Sequence, residues 1–165
     1  MEWNLQSVLH CDGKRMPIEL SLDMKPEPGD DFQFLTPVTV TGEFVNIGGS
    51  LELTAKGRVR LERVCDRCAE SFEMDLDFPI FERLKKADFI DEENEDPDLI
   101  LVEGNTIEAD DIIYGALYMN VPSKSLCRED CKGLCPICGQ NRNAGVCSCD
   151  DRPTDPRFDI LDQLL

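Results

Sequence analysis

The sequence predicts an α+β protein, with an antiparallel β-meander sheet, one helix packed on it, a cysteine-rich module and a short C-terminal helix. Three observations predict this fold class. Apolar and polar residues alternate over residues 36–85, a helical pattern follows between residues 105 and 122, and six of the nine cysteines fall within residues 127–149. We therefore expect two domains, a sheet and helix domain over residues 1–122 and the cysteine-rich module with the terminal helix over residues 123–165.

The strands are predicted by segments in which apolar and polar residues alternate with period two. These segments are TPVTVTGEFVN, SLELTAKGRVRLERV and SFEMDLDFPIFERL, and the IGGS between the first two predicts a hairpin turn. The earlier segment MPIELSLDM alternates in the same way, so we expect it to join the edge of the sheet. KPEPGDD, with two prolines and a glycine, predicts a loop between them.

One strand carries a basic stripe. Lys56, Arg58 and Arg60 share one face of the second long segment, opposite its apolar residues. We interpret the stripe as the solvated face of a half-buried sheet. Contact with RNA or phosphate is the alternative interpretation, which three charges in an acidic chain favour less.

An acidic loop, ADFIDEENEDPD, is predicted over residues 87–98, because it contains seven acidic residues and no basic one. We expect it to repel nucleic acid or to attract a basic partner. A cation site is the alternative, but its spacing does not match a calcium-binding loop.

Two helices complete the prediction. After a short strand, LILV, the first helix should begin at Asn105 or Thr106 as its cap and end before Pro122. Its buried side chains would be Ile112, Ile113, Ala116 and Leu117. The second helix should begin at Asp155, with Pro156 in its first position. It offers Phe158, Leu161, Leu164 and Leu165 for packing.

Charge and cysteine usage restrict the class of protein. The chain has 17 basic and 34 acidic residues, so most of its surface would repel a nucleic-acid backbone and favour a basic protein partner. The sequence has no secretory leader pattern and no apolar stretch of membrane-spanning length, so we expect a cytoplasmic protein. A reducing compartment and an odd number of cysteines argue against structural disulfides and favour a bound metal.

Eight cysteines fall into pairs with the spacing of zinc ligands. Zinc takes four tetrahedral ligands, and a CxxC turn directs two sulfurs toward one ion. The stronger predicted site joins the CPIC and CSC motifs, and the second requires the turn of a hairpin to meet the CREDC segment. The predicted ligands are Cys135, Cys138, Cys147 and Cys149 for one site and Cys65, Cys68, Cys127 and Cys131 for the other.

Other interpretations of the cysteines remain open at this point. An iron–sulfur cluster would use the same thiolates, although the spacings match no ferredoxin pattern. Cys65 and Cys68 would form a redox pair only beside a helix start, and their flanks are strand-like. Cys11 is left over, and burial without a ligand is a simple explanation for it.

No catalytic constellation is visible in the sequence. The single histidine, His10, is adjacent to Cys11, and neighbouring residues of a strand point to opposite faces. Four-cysteine sites also leave no open position for water or substrate. The sequence therefore predicts no enzyme.

The motifs VCDRCAESF, VPSKSLCREDCKGLCPICGQNRNAGVCSCD and DPRFDILDQLL, in this order, resemble those of the bacterial YceD family, the large-subunit ribosomal RNA accumulation proteins. The resemblance covers most of the chain, and CKGLCPICGQNRN is its most specific part. The shared residues are Cys65, Cys68, Cys127, Cys131, Gly133, Cys135, Pro136, Cys138 and Gly139. Family members differ in how many of the later cysteines they keep, so metal binding need not be a property of the whole family.

The resemblance implies a cytoplasmic, non-enzymatic factor that supports synthesis, processing or stability of large-subunit ribosomal RNA during ribosome assembly. Members are commonly encoded beside a small basic zinc-containing protein of the large subunit. The expected partner is therefore a basic large-subunit ribosomal protein or a pre-ribosomal particle, with direct RNA contact left open and no membrane. The alternative is a zinc- or redox-responsive regulatory protein that uses its cysteine pairs as a switch.

Overall fold

The computed structural model describes residues 1–87 and 99–149 of the chain. Two compact units are present. The first comprises Met1–Arg63 and Glu73–Ser123, and the second comprises Val64–Phe72 and Lys124–Leu165, described as far as Cys149. Relative to the expected division at residue 122, the second unit also includes a segment from the middle of the sheet sequence.

The strands and helices follow the predicted pattern closely. The strands are β1 Glu2–Asn4, β2 Arg15–Leu22, β3 Phe32–Phe34, β4 Val38–Ile47, β5 Ser50–Val64, β6 Ser71–Lys86, β7 Leu99–Val102 and β8 Thr106–Glu108. The helices are α1 Gln6–Leu9 and α2 Ala109–Asn120. The alternating segments therefore form strands, and β1, β3, β8 and α1 are additions that the sequence pattern did not predict.

Six strands form one sheet, in the order β2-β4-β5-β6-β7, with β3 also paired to β5. As predicted, β2 lies at the edge, and the β4–β5 hairpin turns through Gly48 and Gly49, whose φ angles are 60° and 89°. The prediction of a purely antiparallel sheet was wrong, because β7 pairs with β6 in parallel. In this pairing Arg83 lies opposite Leu99. Parallel pairing of consecutive strands needs a connection of about a dozen residues, and the sequence between Lys86 and Leu99 has this length.

Helix α2 is confirmed, but its predicted start was wrong. Thr106 pairs with Asn4 in a small two-stranded sheet of β1 and β8, so it belongs to a strand and does not cap the helix. The N-cap position is taken by Glu108, whose side chain makes no capping hydrogen bond. The helix ends before Pro122, and its buried residues are Ala109, Ile112, Ile113 and Leu117.

The core of the first unit lies between the apolar face of the sheet and α2. It includes Trp3, whose ring meets that of Phe44 edge to face with centroids 5.2 Å apart. The ring of Phe78 occupies the space where a β-carbon on Gly57 would lie. This glycine therefore lets an aromatic ring cover the neighbouring strand.

On the polar face of β5, two arginines pair with carboxylates of the neighbouring strand β6. Arg58 forms two hydrogen bonds with Asp77, at 2.5 and 3.1 Å, and Arg60 forms two with Asp75, at 2.8 and 3.3 Å. All four side chains are largely exposed. These pairs support the interpretation of the basic stripe as an ordinary solvated face, since two of its three charges already have carboxylate partners.

Within residues 1–87 and 99–149, no helix is long and apolar enough to cross a membrane. Two predicted features, the acidic loop beyond Ala87 and the C-terminal helix beginning at Asp155, lie outside the described residues.

Candidate metal centre

Four cysteines of the second unit meet in what we call centre A, made of Cys65, Cys68, Cys127 and Cys131. Cys65 and Cys68 lie in the turn between β5 and β6, and the other two follow Lys124. Their sulfurs all lie within 4.8 Å of one another. The Sγ atoms of Cys65 and Cys131 are 3.8 Å apart, and those of Cys68 and Cys127 are 3.7 Å apart. Centre A could therefore hold one metal ion.

A second group, centre B, consists of Cys135, Cys138, Cys147 and Cys149. Its sulfurs also lie within 4.8 Å of one another. Cys135 is buried and Cys138 is exposed, so centre B lies closer to solvent than centre A. The structure thus brings together the same two sets of cysteines that the sequence grouped, and their binding of a metal stays a prediction.

The two CxxC turns have the same backbone hydrogen bonds. In centre A, the N–H of Ala69 donates to the carbonyl of Cys65, and the N–H of Cys65 donates to the carbonyl of Glu70, both at 2.9 Å. In centre B, Gly139 and Gln140 make the equivalent bonds with Cys135, also at 2.9 Å. The residue after the second cysteine has a positive φ in both turns, 57° for Ala69 and 73° for Gly139. Both turns therefore present their two thiols in the same way.

Hydrogen bonds hold the two segments of centre A together. The N–H of Asp66 donates to the carbonyl of Ser125 at 2.9 Å, and the N–H of Ser125 donates to the Asp66 carboxylate at 2.6 Å. The guanidinium of Arg67 donates to the carbonyl of Cys131 at 3.0 Å. The carbonyl of Arg67 accepts the N–H of Leu134 at 2.9 Å. Both the backbone and the side chains of Asp66 and Arg67 thus fix the later segment in place.

The thiols of each centre differ in acidity. Burial opposes ionisation of Cys65, but backbone amides, led by that of Cys127, lower its pKa to about 6. Burial and the neighbouring thiols raise the pKa of Cys127 to about 12. In centre B, backbone amides lower the pKa of Cys135 to about 6, and the Cys138 side chain raises that of Cys149 to about 12. A bound cation would offset the repulsion that keeps the thiols of Cys127 and Cys149 protonated.

One residue near the sulfurs was missed by the sequence analysis. The Nδ2 of Asn143 donates to the Sγ of Cys131 at 3.3 Å. This hydrogen bond is the largest cause of the lowered pKa of Cys131. The only hint in the sequence is its place in the polar loop between the cysteine pairs of centre B.

The remaining candidates lie elsewhere. Cys11 is exposed and belongs to neither centre, and His10 is exposed at the end of α1. Burial does not explain Cys11, contrary to the simplest expectation for an unliganded cysteine.

The chain is thus a β-sheet protein with a cysteine-rich second unit, in which two clusters of four cysteines could each hold a metal ion. A family model described as "Large ribosomal RNA subunit accumulation protein YceD" matches residues 51–165, which is more than half of the chain. The chain therefore belongs to the YceD family. No curated protein and no solved structure matched it. The family description gives a role in accumulation of large-subunit ribosomal RNA and names no reaction.

Proposed function

We propose that centres A and B each bind one structural zinc ion. Zinc–sulfur bonds of about 2.3 Å in a tetrahedron place the sulfurs about 3.8 Å apart. Two of the Sγ–Sγ distances in centre A, 3.8 Å for Cys65 and Cys131 and 3.7 Å for Cys68 and Cys127, have this value. All four ligands in each centre are thiols, which zinc prefers in structural sites, and no position is left open for a reacting water.

The function we propose is that of a non-enzymatic, cytoplasmic factor that supports synthesis, processing or stability of large-subunit ribosomal RNA during ribosome assembly. Membership of the YceD family carries this proposal. The factor would act by binding a basic large-subunit ribosomal protein or the assembling particle.

The charge of the chain supports a basic partner. The formal net charge is -17, and filling both centres with Zn²⁺ as four-thiolate sites would make it more negative, since each site carries two negative charges. Such a surface attracts a basic ribosomal protein and raises its association rate at low salt, while it repels free RNA. The paired carboxylates of Asp75 and Asp77 leave little positive charge on β5 for a nucleic acid.

The proposal is tested in the cell of origin by depleting the protein and measuring the ratio of large- to small-subunit ribosomal RNA. We expect the ratio to fall, and we expect the wild-type chain to restore it. A tagged chain is then recovered from a gentle lysate with and without ribonuclease. A basic large-subunit protein retained after ribonuclease supports direct protein binding, whereas its loss together with precursor ribosomal RNA indicates attachment through the particle.

An unchanged RNA ratio would contradict the proposal and favour the zinc- or redox-responsive regulator. The two functions separate in a variant in which Cys65 and Cys68 are replaced by serine. Loss of fold and of metal in this variant favours a structural centre A. An intact fold with a lost response to peroxide favours the switch.

A further inference from the structure

The side-chain amide of Asn143 contacts two adjacent residues of the cysteine-rich unit, Cys131 and Lys132. Its Oδ1 accepts the N–H of Lys132 at 2.8 Å, so the other end of the amide, Nδ2, is the end that faces Cys131 Sγ at 3.3 Å. Its own N–H donates to the side chain of Asn141 at 2.9 Å. The amide is therefore held in one orientation, with its donor directed at a sulfur of centre A.

The loop that carries Asn143 belongs to centre B. It lies between Cys138 and Cys147, two ligands of that centre. Leu134 and Asn141 form a β-bridge, and the N–H of Arg142 donates to the carbonyl of Gly133 at 2.9 Å. The loop is thus anchored to Gly133 and Leu134, directly before Cys135 of centre B, while its Asn143 amide contacts centre A.

We propose that Asn143 is a positioning residue that couples the two metal centres. Filling of centre B fixes the loop, and the fixed loop holds the Asn143 amide against Cys131, where it stabilises the charge of the metal-bound thiolate. A residue that donates to a ligand in this way typically changes metal affinity by about 10- to 100-fold. The inference depends on metal binding by both centres, as proposed above.

Coupling of this kind acts in both directions. If metal in centre B raises the affinity of centre A, metal in centre A must raise that of centre B by the same factor. Loss of one ion would then weaken binding of the other. Two independent structural sites would each keep their affinity whether or not the other is filled.

Two substitutions separate the N–H···S contact from the general stability of the loop. Asn143→Asp keeps an oxygen to accept the Lys132 N–H but replaces the donor to Cys131 with a negatively charged oxygen, whereas Asn143→Ala removes both contacts without adding charge. Gln140→Ala is the matched control, since its bond with Cys135 uses the backbone carbonyl, which alanine keeps, and its side chain is an exposed amide in the same loop. The zinc affinity of centre A is measured by competition with a chromophoric chelator, and each centre is followed by its ¹¹³Cd resonance in cadmium-loaded protein.

We expect Asn143→Asp to weaken zinc binding at centre A about 10-fold and to shift the ¹¹³Cd resonance of that centre alone. We expect Gln140→Ala to leave both unchanged. Replacing Cys147 and Cys149 by serine should also weaken centre A, and this effect should largely disappear when Asn143 is already aspartate.

Several results would overturn the coupling. Wild-type affinity at centre A in Asn143→Asp is one, and additive effects of the centre B and Asn143 substitutions are another. A loss of affinity at centre B in Asn143→Asp that remains when centre A is removed by replacing Cys65 and Cys68 with serine would show a loop-stabilising role only. Failure of the zinc proposal itself is recognised separately, because the wild-type chain would then bind no zinc after purification without chelator.

Discussion

Two glycines of the first unit have opposite surroundings. A β-carbon on Gly42, in β4, would lie 2.4 Å from the Cα of Ala55 on the neighbouring strand, a contact with backbone that cannot easily move. A β-carbon on Gly115, which is exposed in α2, would meet no atom within 4 Å. The same substitution at these two positions should therefore have opposite effects on stability.

We expect Gly42→Ala to lower the free energy of unfolding by about 1–3 kcal/mol, since the new methyl group forces the two strands apart. Gly115→Ala should raise it by about 0.5–1 kcal/mol, because alanine restricts the unfolded chain and favours the helix. Urea denaturation measures both, with the emission of Trp3, the only tryptophan, reporting on the core. If both substitutions changed the free energy of unfolding equally and in the same direction, the surroundings described for Gly42 and Gly115 would be contradicted.

Arg63 is a charged residue inside the apolar face of β5. Its side chain is only 3% exposed, and it donates to the carboxylate of Asp31 and, at 2.6 Å, to the carbonyl of Pro122. Alternation along the strand predicts that residue 63 points inward, but its partners come from segments far away in the sequence. No pattern in β5 alone could therefore identify them.

Asp31→Asn should lower the free energy of unfolding by about 1–3 kcal/mol, because it removes the charged acceptor of a buried guanidinium. Asp23→Asn, at an exposed position of the same connection, is the matched control and should change it little. Urea denaturation of both variants is the measurement. If the two variants unfold alike, the Asp31 carboxylate does not stabilise Arg63.

At the scale of structural elements, the two CxxC turns differ in one respect. Both need a positive φ after the second cysteine, yet centre A has Ala69 at this position and centre B has Gly139. A left-handed conformation costs an alanine about 1–2 kcal/mol, while glycine adopts it without strain but loses more backbone entropy on folding. Alanine is therefore the less favourable residue in this turn.

We expect Ala69→Gly to stabilise the turn of centre A by about 0.5–1 kcal/mol and Gly139→Ala to destabilise that of centre B by a similar amount. Metal binding and folding of such a unit are coupled, so zinc affinity should rise a few-fold in the first variant and fall a few-fold in the second. Chelator competition measures both changes. A fall in affinity for Ala69→Gly would show that the Ala69 methyl group makes a contact of its own.

The long elements were predictable because each carries its own pattern. The alternation of β4, β5 and β6 and the apolar stripe of α2 are local, and the structure confirms them. The parallel pairing of β7 and the pairing of β8 with β1 depend on partners distant in sequence, which no local pattern encodes. The N-cap of α2 was predicted wrongly for the same reason, since Thr106 pairs with Asn4 as part of strand β8.

At the scale of the whole molecule, the two units differ in what they bury. The first has one large apolar cluster that includes Trp3, Phe44, Phe78 and Leu117. In the second, the buried cluster around centre A consists mainly of thiols, with Phe72 and Leu126 packed against it. The grouping of the cysteines could be predicted from their spacing. The spacing does not show that the β5–β6 turn lies next to the CREDC segment, because the two are distant in sequence. A unit with so little apolar burial needs another source of stability, and metal ligation is the source its thiols offer.

Removal of metal should therefore unfold the second unit and leave the first intact. After treatment with a strong zinc chelator under reducing conditions, we expect amide hydrogen exchange to become fast over residues 64–72 and 124–149, while β4, β5 up to Arg63 and α2 stay protected. The emission of Trp3 should not change, since its neighbour Phe44 belongs to the first unit. Adding back one equivalent of zinc tests the coupling in the same sample, because coupled filling protects residues 64–72 of centre A and residues 135–149 of centre B partially and together, whereas independent filling protects the tighter centre first. Unchanged exchange in residues 124–149 after complete zinc removal would contradict a metal-stabilised unit, and loss of protection throughout would show that the sheet depends on the metal as well.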